Sequence, residues 1–515
     1  MAVVYPLANG NWSSVANWYS GGVPYGQLPL STDDVYADGK TVVIDQDITV
    51  NLLTTLQRVG GTIGGGFNCT TARTISSVTI TGQYNCLNLT STGVTINLIS
   101  TAINSFINAA GAAGTVYING TSGIVNITVT NLFSSGYNAG YCVYNIGTNT
   151  LNVTGNHSGN SSSGIGNNNG VLNFNGTLGA AGNVYAGINQ LAAGGVTNVT
   201  GALVGGLGTN GYCVYNTLGT VNILSNQTMS GTTGIGVYSS NGTTNFGTVG
   251  SPITITGAPS SAASGLYACY HPGGGNVNLY GNIVQSSYSI SVSIGLFRYG
   301  STSGVMTING NITGGSVANT IGLNIENTGT VIVNGNVTGG SNATNTPAVS
   351  MSQAGTININ GTTTSNSYPA IWSTVTTAKF NLLGDVVNTA GVSAYYGSLN
   401  VKISPSNAQQ FTYIDTSNNN RVIATSNITA GAPVPANVRL GTVYGSLSQY
   451  TGTLAMATPA NVRNGVATDN TVGTADLTAE DIFNEIGSSS NTIAVRLRNI
   501  STVETTGDQL ASYQV

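Results

Sequence analysis

The feature that most constrains this 515-residue chain is a run of near-repeats between about Val78 and Gly397. Its plainest copies read Val331-Ile-Val-Asn-Gly-Asn336, Met306-Thr-Ile-Asn-Gly-Asn311, Val277-Asn-Leu-Tyr-Gly-Asn282 and Ile357-Asn-Ile-Asn-Gly-Thr362. Anchored on the central apolar residue, the copies centre on Val153, Phe174, Val199, Ile223, Phe246, Leu279, Ile308, Val333, Ile359 and Leu382, about 21 to 33 residues apart. A period of that length belongs to solenoids, whose repeats bury their apolar faces against their neighbours.

In eight copies the residue before the anchor is asparagine: Asn152, Asn173, Asn198, Asn222, Asn245, Asn278, Asn358 and Asn381. Apolar-Asn-apolar is a period of two, so the apolar pair points one way and the asparagine the other. Stacked at one strand position, such asparagines form a ladder of side-chain hydrogen bonds. About ten residues upstream comes a second short strand: small, apolar, then often aromatic. Cys142-Val-Tyr144, Cys213-Val-Tyr215, Gly236-Val-Tyr238, Gly295-Leu-Phe297, Ala370-Ile-Trp372 and Ala394-Tyr-Tyr396 are its copies. Gly, Asn, Ser and Thr fill the turns between. The expectation is an all-β chain: a parallel β-helix of about 25 residues per coil, with roughly twelve coils stacked ~4.8 Å apart. Glycine and β-branched residues at this density argue against a helical repeat.

The recurring aromatics Tyr144, Tyr215, Tyr238, Tyr270, Phe297, Trp372 and Tyr396 form a candidate binding stripe. Three readings stand open: core filling, a surface that packs on neighbouring subunits, or a platform on which sugars stack.

Charge excludes much else. Only 5% of residues are charged and the net charge is -4. Without a basic stripe to neutralise phosphates, nucleic-acid binding is not expected. No apolar run reaches the length of a membrane span. Between Asp47 and Glu326 the sequence contains no Asp or Glu at all. Glycoside cleavage ordinarily needs two carboxylates flanking the bond, and Glu326 and Asp385 lie more than two coils apart. No catalytic residue is assigned, and a non-enzymatic protein is expected.

His157 and His271 read as solvated turn residues. The cysteines at 69, 86, 142, 213 and 269 form no CxxC pair; Cys142 and Cys213 occupy matching positions and read as fillers of small-residue slots. Asp33, Asp34, Asp38, Asp45 and Asp47 cluster near the start. They read as solvated charge on a cap rather than a calcium site, since no calcium-loop motif is present. No metal or cofactor is expected. The many Asn-x-Ser/Thr triplets follow from composition.

Four segments are expected: a capping segment over 1–70, the β-helix over 71–400, a transition over 401–430, and a C-terminal attachment or oligomerisation module with a short helix over 431–515. The opening, with Trp12 and Trp18 followed by Gly21-Gly22-Val23-Pro24 and Asp33-Asp34-Val35, resembles the start of many bacterial and phage β-solenoid surface proteins. Its aromatics are suited to plugging the end of the first coil. No basic region followed by an apolar core marks a signal peptide.

The C-terminal region carries Pro435-Ala-Asn-Val-Arg-Leu-Gly441 and Pro459-Ala-Asn-Val-Arg-Asn-Gly465, then a helix-like stretch over 478–486 with Thr478 as N-cap. It ends in Arg496-Leu-Arg-Asn499, Ser501-Thr-Val503 and Thr505-Thr-Gly-Asp-Gln-Leu510. These roughly 80 residues resemble segments of tailed-bacteriophage virion proteins. The resemblance implies a tail fibre, spike or other appendage on the virion surface, a trimer of identical chains, and contacts with other virion proteins and host-surface polysaccharide. The alternatives are a bacterial surface-layer or adhesin protein, and a polysaccharide depolymerase with a site between subunits.

Overall fold

Why these repeats stack follows from where their apolar residues go. In the computed structural model, the described residues are 1–425 apart from a series of short loops, the longest being 106–113, 258–265 and 286–294. Of 426–515, only 441–444, 450–451, 467–468 and 471–472 are described. The expected C-terminal helix, the two Pro-Ala-Asn-Val-Arg copies (Gly441 apart) and the 496–510 tail lie outside the described residues. The chain divides into two compact units, Met1–Ser426 and Asn427–Val515. The described part of the second holds two short antiparallel pairs, Val443–Tyr444 with Tyr450–Thr451 and Ala467–Thr468 with Thr471–Val472.

The first unit is a parallel β-solenoid whose rungs recur about every 26 residues. One sheet, here the ladder sheet, begins at Val3–Pro6, Asp34–Tyr36 and Ile48–Thr54 and continues rung on rung to Asn400–Ile403. A second, the tyrosine sheet, runs from Gly10–Asn11 and Thr41–Val43 to Tyr395–Tyr396 and Gln410–Ile414. A third, shorter sheet follows the ladder sheet in each later turn, ending at Val386–Asn388. The parallel register therefore starts with the first residues, so the segment expected as a cap also forms the first coils.

All ten repeat anchors are buried on the inner side of the ladder sheet. The asparagines before them face outward, half-buried, and bond from rung to rung. Asn126 donates to Asn97, Asn152 to Asn126, Asn173 to Asn152, and so on through Asn198, Asn222 and Asn245 to Asn278, at 2.7–2.9 Å. Each such bond contributes on the order of 1 kcal/mol. Thr307 and Ile332 then occupy the position, and the ladder resumes with Asn381 donating to Asn358. Two other asparagine rows bridge the gap. Asn360 donates to Asn334 and Asn334 to Asn309; Asn282, Asn311 and Asn336 each accept the backbone N–H of the next turn.

The interior is not wholly apolar. Successive rungs of the tyrosine sheet place Asn145, Asn167, Gln190, Asn216, Ser239, His271 and Tyr299 in one inward column, and none is exposed. Asn145 donates to Asn167 at 3.1 Å, and Asn167 to Gln190 at 2.8 Å. Glycines make room for these amides: a Cβ at Gly195 would lie 2.2 Å from Gln190 Nε2.

Both ends of the coil switch from parallel to antiparallel pairing. At the start, Trp18–Ser20 runs antiparallel to Val3–Pro6 and turns through Gly21 and Gly22, both at positive φ, into Val23–Pro24. Trp12 and Trp18 are buried edge to face at 4.8 Å, with Trp18 Nε1 donating to Trp12 O. At the far end Asn420–Thr425 lies antiparallel on Gln410–Ile414. Such strands cover edges that would otherwise template further pairing.

Candidate binding surface on the tyrosine sheet

The strands of the tyrosine sheet are inward at their apolar centre and outward one residue later. That rule places Tyr117, Tyr144, Gly166, Asn189, Tyr215, Tyr238 and Tyr270 in a single outward column, in register. The next rungs carry Arg298, Asn324, Ser350, Trp372 and Tyr396. Of the expected stripe, Tyr144, Tyr215, Tyr238, Tyr270 and Trp372 share this face. The side chain of Tyr396 lies outside the described residues.

Phe297 does not belong to the stripe. It aligns with Cys269 below and Leu323 above, is fully buried, and meets Phe246 edge to face at 5.2 Å. Its strand sits one residue out of step with Cys142-Val-Tyr144, so the aromatic takes the inward slot and Arg298 holds the register position after Tyr270.

Three tyrosines join the face that the repeat pattern left out: Tyr117, Tyr141 and Tyr212. The signal for the last two is a duplicated pentapeptide, Tyr141-Cys-Val-Tyr-Asn145 and Tyr212-Cys-Val-Tyr-Asn216. In both copies the outer tyrosines stack, at 4.9 Å for Tyr141 and Tyr144 and 5.5 Å for Tyr212 and Tyr215. Tyr238 lies 4.7 Å from Tyr212 and 4.9 Å from Tyr215, and Tyr270 meets Tyr238 edge to face at 5.3 Å. Offset and edge-on rings at these distances attract through their quadrupoles. Burial, reinforced by the neighbouring Tyr144, pushes the Tyr141 hydroxyl up to about 12. Burial also raises Tyr144 and Tyr212. Tyr141, Tyr144 and Tyr212 therefore stay neutral at physiological pH.

The histidines are not solvated turn residues. His157 is buried among Leu132 and Leu178, its register neighbours, and Nδ1 lies 3.2 Å from Gly179 O, so that nitrogen carries the proton. Burial lowers its pKa to about 4. His271 sits in the inward polar column with Nδ1 3.0 Å from Ser239 O. Burial lowers its pKa too, against the pull of the Ser239 and Gly275 carbonyls. Among the described residues each is bonded to a backbone carbonyl, not to a carboxylate.

Glu326 follows Ile321–Ile325 at the corner leading to the ladder sheet, where Asn324 donates to it. Asp385 sits at the opposite end of the ladder sheet, before Val386–Asn388. The fold does not bring the two together within one turn.

Of the N-terminal aspartates Asp47 is exposed, as expected, whereas Asp33 is buried and Asp38 and Asp45 are half-buried in hydrogen bonds that hold the first coils. Asp33 is 2% exposed and accepts from Ala2 N, Leu30 N and Tyr25 Oη at 3.1, 2.8 and 2.7 Å. Desolvation would raise its pKa, but these donors outweigh it and the net shift is downward. Asp38 takes two bonds from Arg58, whose guanidinium lies 3.6 Å from the centre of the Tyr5 ring. Asp45 holds both the amide and the hydroxyl of Ser13. Among the described residues no group of three His, Cys, Asp or Glu is placed to hold a metal ion. All five cysteines are buried and none is joined in a disulfide. Cys142 and Cys213 share a corner column with Gly164, Gly187, Gly236 and Ala268, the small-residue slot expected for them.

No family model, curated protein or solved structure matches this chain.

Proposed function

We propose that this chain is a non-enzymatic structural protein of a tailed-phage virion, a β-helical tail fibre, spike or comparable appendage. In this reading the solenoid is the exposed shaft, displaying an adhesive face. Residues 427–515 attach or trimerise it. The observation that carries the reading is the chemistry of the coil: between Asp47 and Glu326 it has no carboxylate, its asparagines bond one another, and its outward feature is a column of stacked tyrosines. Such a surface binds and resists unfolding; it offers no acid–base pair for hydrolysis. The phage-like residues at 496–499, 501–503 and 505–510 support the virion assignment.

The test is the solution mass of the full chain and of residues 1–426, by light scattering. A trimer that falls to monomers on truncation supports an appendage assembled through its C-terminal module. A monomer in both forms overturns the trimeric shaft and favours a monomeric surface-layer protein.

A further inference from the structure

The two copies of Tyr-Cys-Val-Tyr-Asn have the same sequence and the same stacking, yet different surroundings. Tyr141 and Tyr144 are covered, at 7% and 8% exposure. Tyr212 and Tyr215 are only partly buried, and Tyr238 and Tyr270 extend them by two rungs in the same condition. At the first copy, burial accounts for the paired rings. At the second, the described residues do not finish covering them.

We propose that Tyr212, Tyr215, Tyr238 and Tyr270 form a docking strip for a single neutral saccharide chain lying along the rungs. This deepens the proposed function and rests on its adhesive reading. Three observations select the occupant. The strip is narrow: in strand 212–216 the residues between and beside Tyr212 and Tyr215 (Cys213, Val214 and Asn216) are buried, so the outward surface is one column of rings plus Tyr212. Its area is small. A tyrosine removes about 150–250 Å² from water when fully buried, so four partly buried rings leave at most about 300 Å² open. A stable protein interface takes roughly 800 Å² from each partner, so a second copy of this chain would need far more surface than the strip supplies. The four rungs of the strip carry no charged residue in the column: the sequence has no acid between Asp47 and Glu326, burial raises the Tyr212 hydroxyl, and Arg298 enters the register only on the rung after Tyr270. Pyranose rings present apolar C–H faces to aromatic rings and hydroxyls to phenol oxygens, and successive rungs ~4.8 Å apart repeat that contact along the chain.

The experiment uses the full chain on a printed array of neutral hexose and N-acetylhexosamine oligomers beside uronic-acid oligomers, followed by calorimetric titration of the best neutral oligomer. Binding to neutral oligomers is expected, with affinity about tenfold weaker in Tyr238→Ala, a loss of about 1.4 kcal/mol. Tyr238→Phe keeps the ring and should stay within about threefold of the parent. Tyr270→Ala, at the end of the strip, gives a second truncation should Tyr238→Ala fold poorly. Retention of uronic acids alone, full affinity in both alanine variants, or a drop in solution mass on Tyr270→Ala would each overturn the saccharide strip. The last would make the face a subunit contact. A chain that trimerises through residues 427–515 but binds no neutral glycan loses this inference and keeps the appendage reading.

Discussion

Asn167 donates through Nδ2 to Gln190 Oε1 across 2.8 Å inside the coil, where neither side chain meets solvent. The same amide also reaches Gly170 O and Val196 O, and Asn167 Oδ1 accepts from Asn145. One residue thus joins three turns of the solenoid through buried polar contacts, in a setting where an unmet donor costs more than a made bond contributes. Asn167→Ala strands the Asn145 amide and removes a donor from Gln190. The expected loss is about 2–4 kcal/mol, read as a lower urea midpoint at unchanged slope. A change within experimental error would mean that the column is not a stabilising network.

The outer ladder offers the opposite experiment. Thr307 interrupts it directly above Asn278, in register and half-buried. Thr307→Asn supplies a donor to Asn278 Oδ1, extending the ladder by one rung, and should raise stability by about 1 kcal/mol, seen as a higher urea midpoint. A destabilised variant would show that Ile332, on the next rung, requires the smaller threonine beneath it.

Acid should weaken the coil in a defined interval. His157 titrates near 4 when folded, against an ordinary 6.5. As pH falls, the unfolded chain takes up the proton first. The stability this neutral imidazole contributes is complete above about 6.5, declines from there to about 4, and is gone below. The size is about 3 kcal/mol at most for the pKa difference. His271, also lowered, adds in the same direction. His157→Leu, which matches its column neighbours Leu132 and Leu178, should flatten the decline in denaturant midpoint between pH 6.5 and 4. An unchanged slope would assign the decline to other groups. The lowered Asp33 and Asp45 lose their contributions only at more acid pH.

Burial pushes the Cys86 and Cys213 thiols up to about 12 and raises Cys269 further. The thiolate is the reactive form, so the folded chain should resist iodoacetamide at pH 8 while unfolded chain is alkylated at all five sites. Mass spectrometry along a urea series should show labelling that rises with unfolding. Rapid labelling of Cys213 in native buffer would contradict its place in the corner column.

The repeat was legible because period-two alternation over a period near 25 residues leaves few ways to bury the apolar half. The parallel β-helix, the inward anchors, the outward asparagines and the small slots of Cys142 and Cys213 all follow from that local pattern. Alternation states that a strand has two faces, but not which residue falls on which when the connecting loops vary in length. Phe297 shows the consequence. It looks like Tyr144 in its own strand and becomes core once the rung register places it over Cys269. His157 and His271 reveal the same limit from the other side, since a polar residue among Gly, Asn and Ser reads as solvated. Only the stacked coil, by setting His157 between Leu132 and Leu178 and His271 between Ser239 and Tyr299, decides that they are inside. The sequence by itself determined the repeat and its alternation, because those are local. The tertiary structure decided register, and with it which tyrosines are covered and which remain open, because each rung is positioned by the rung beneath it.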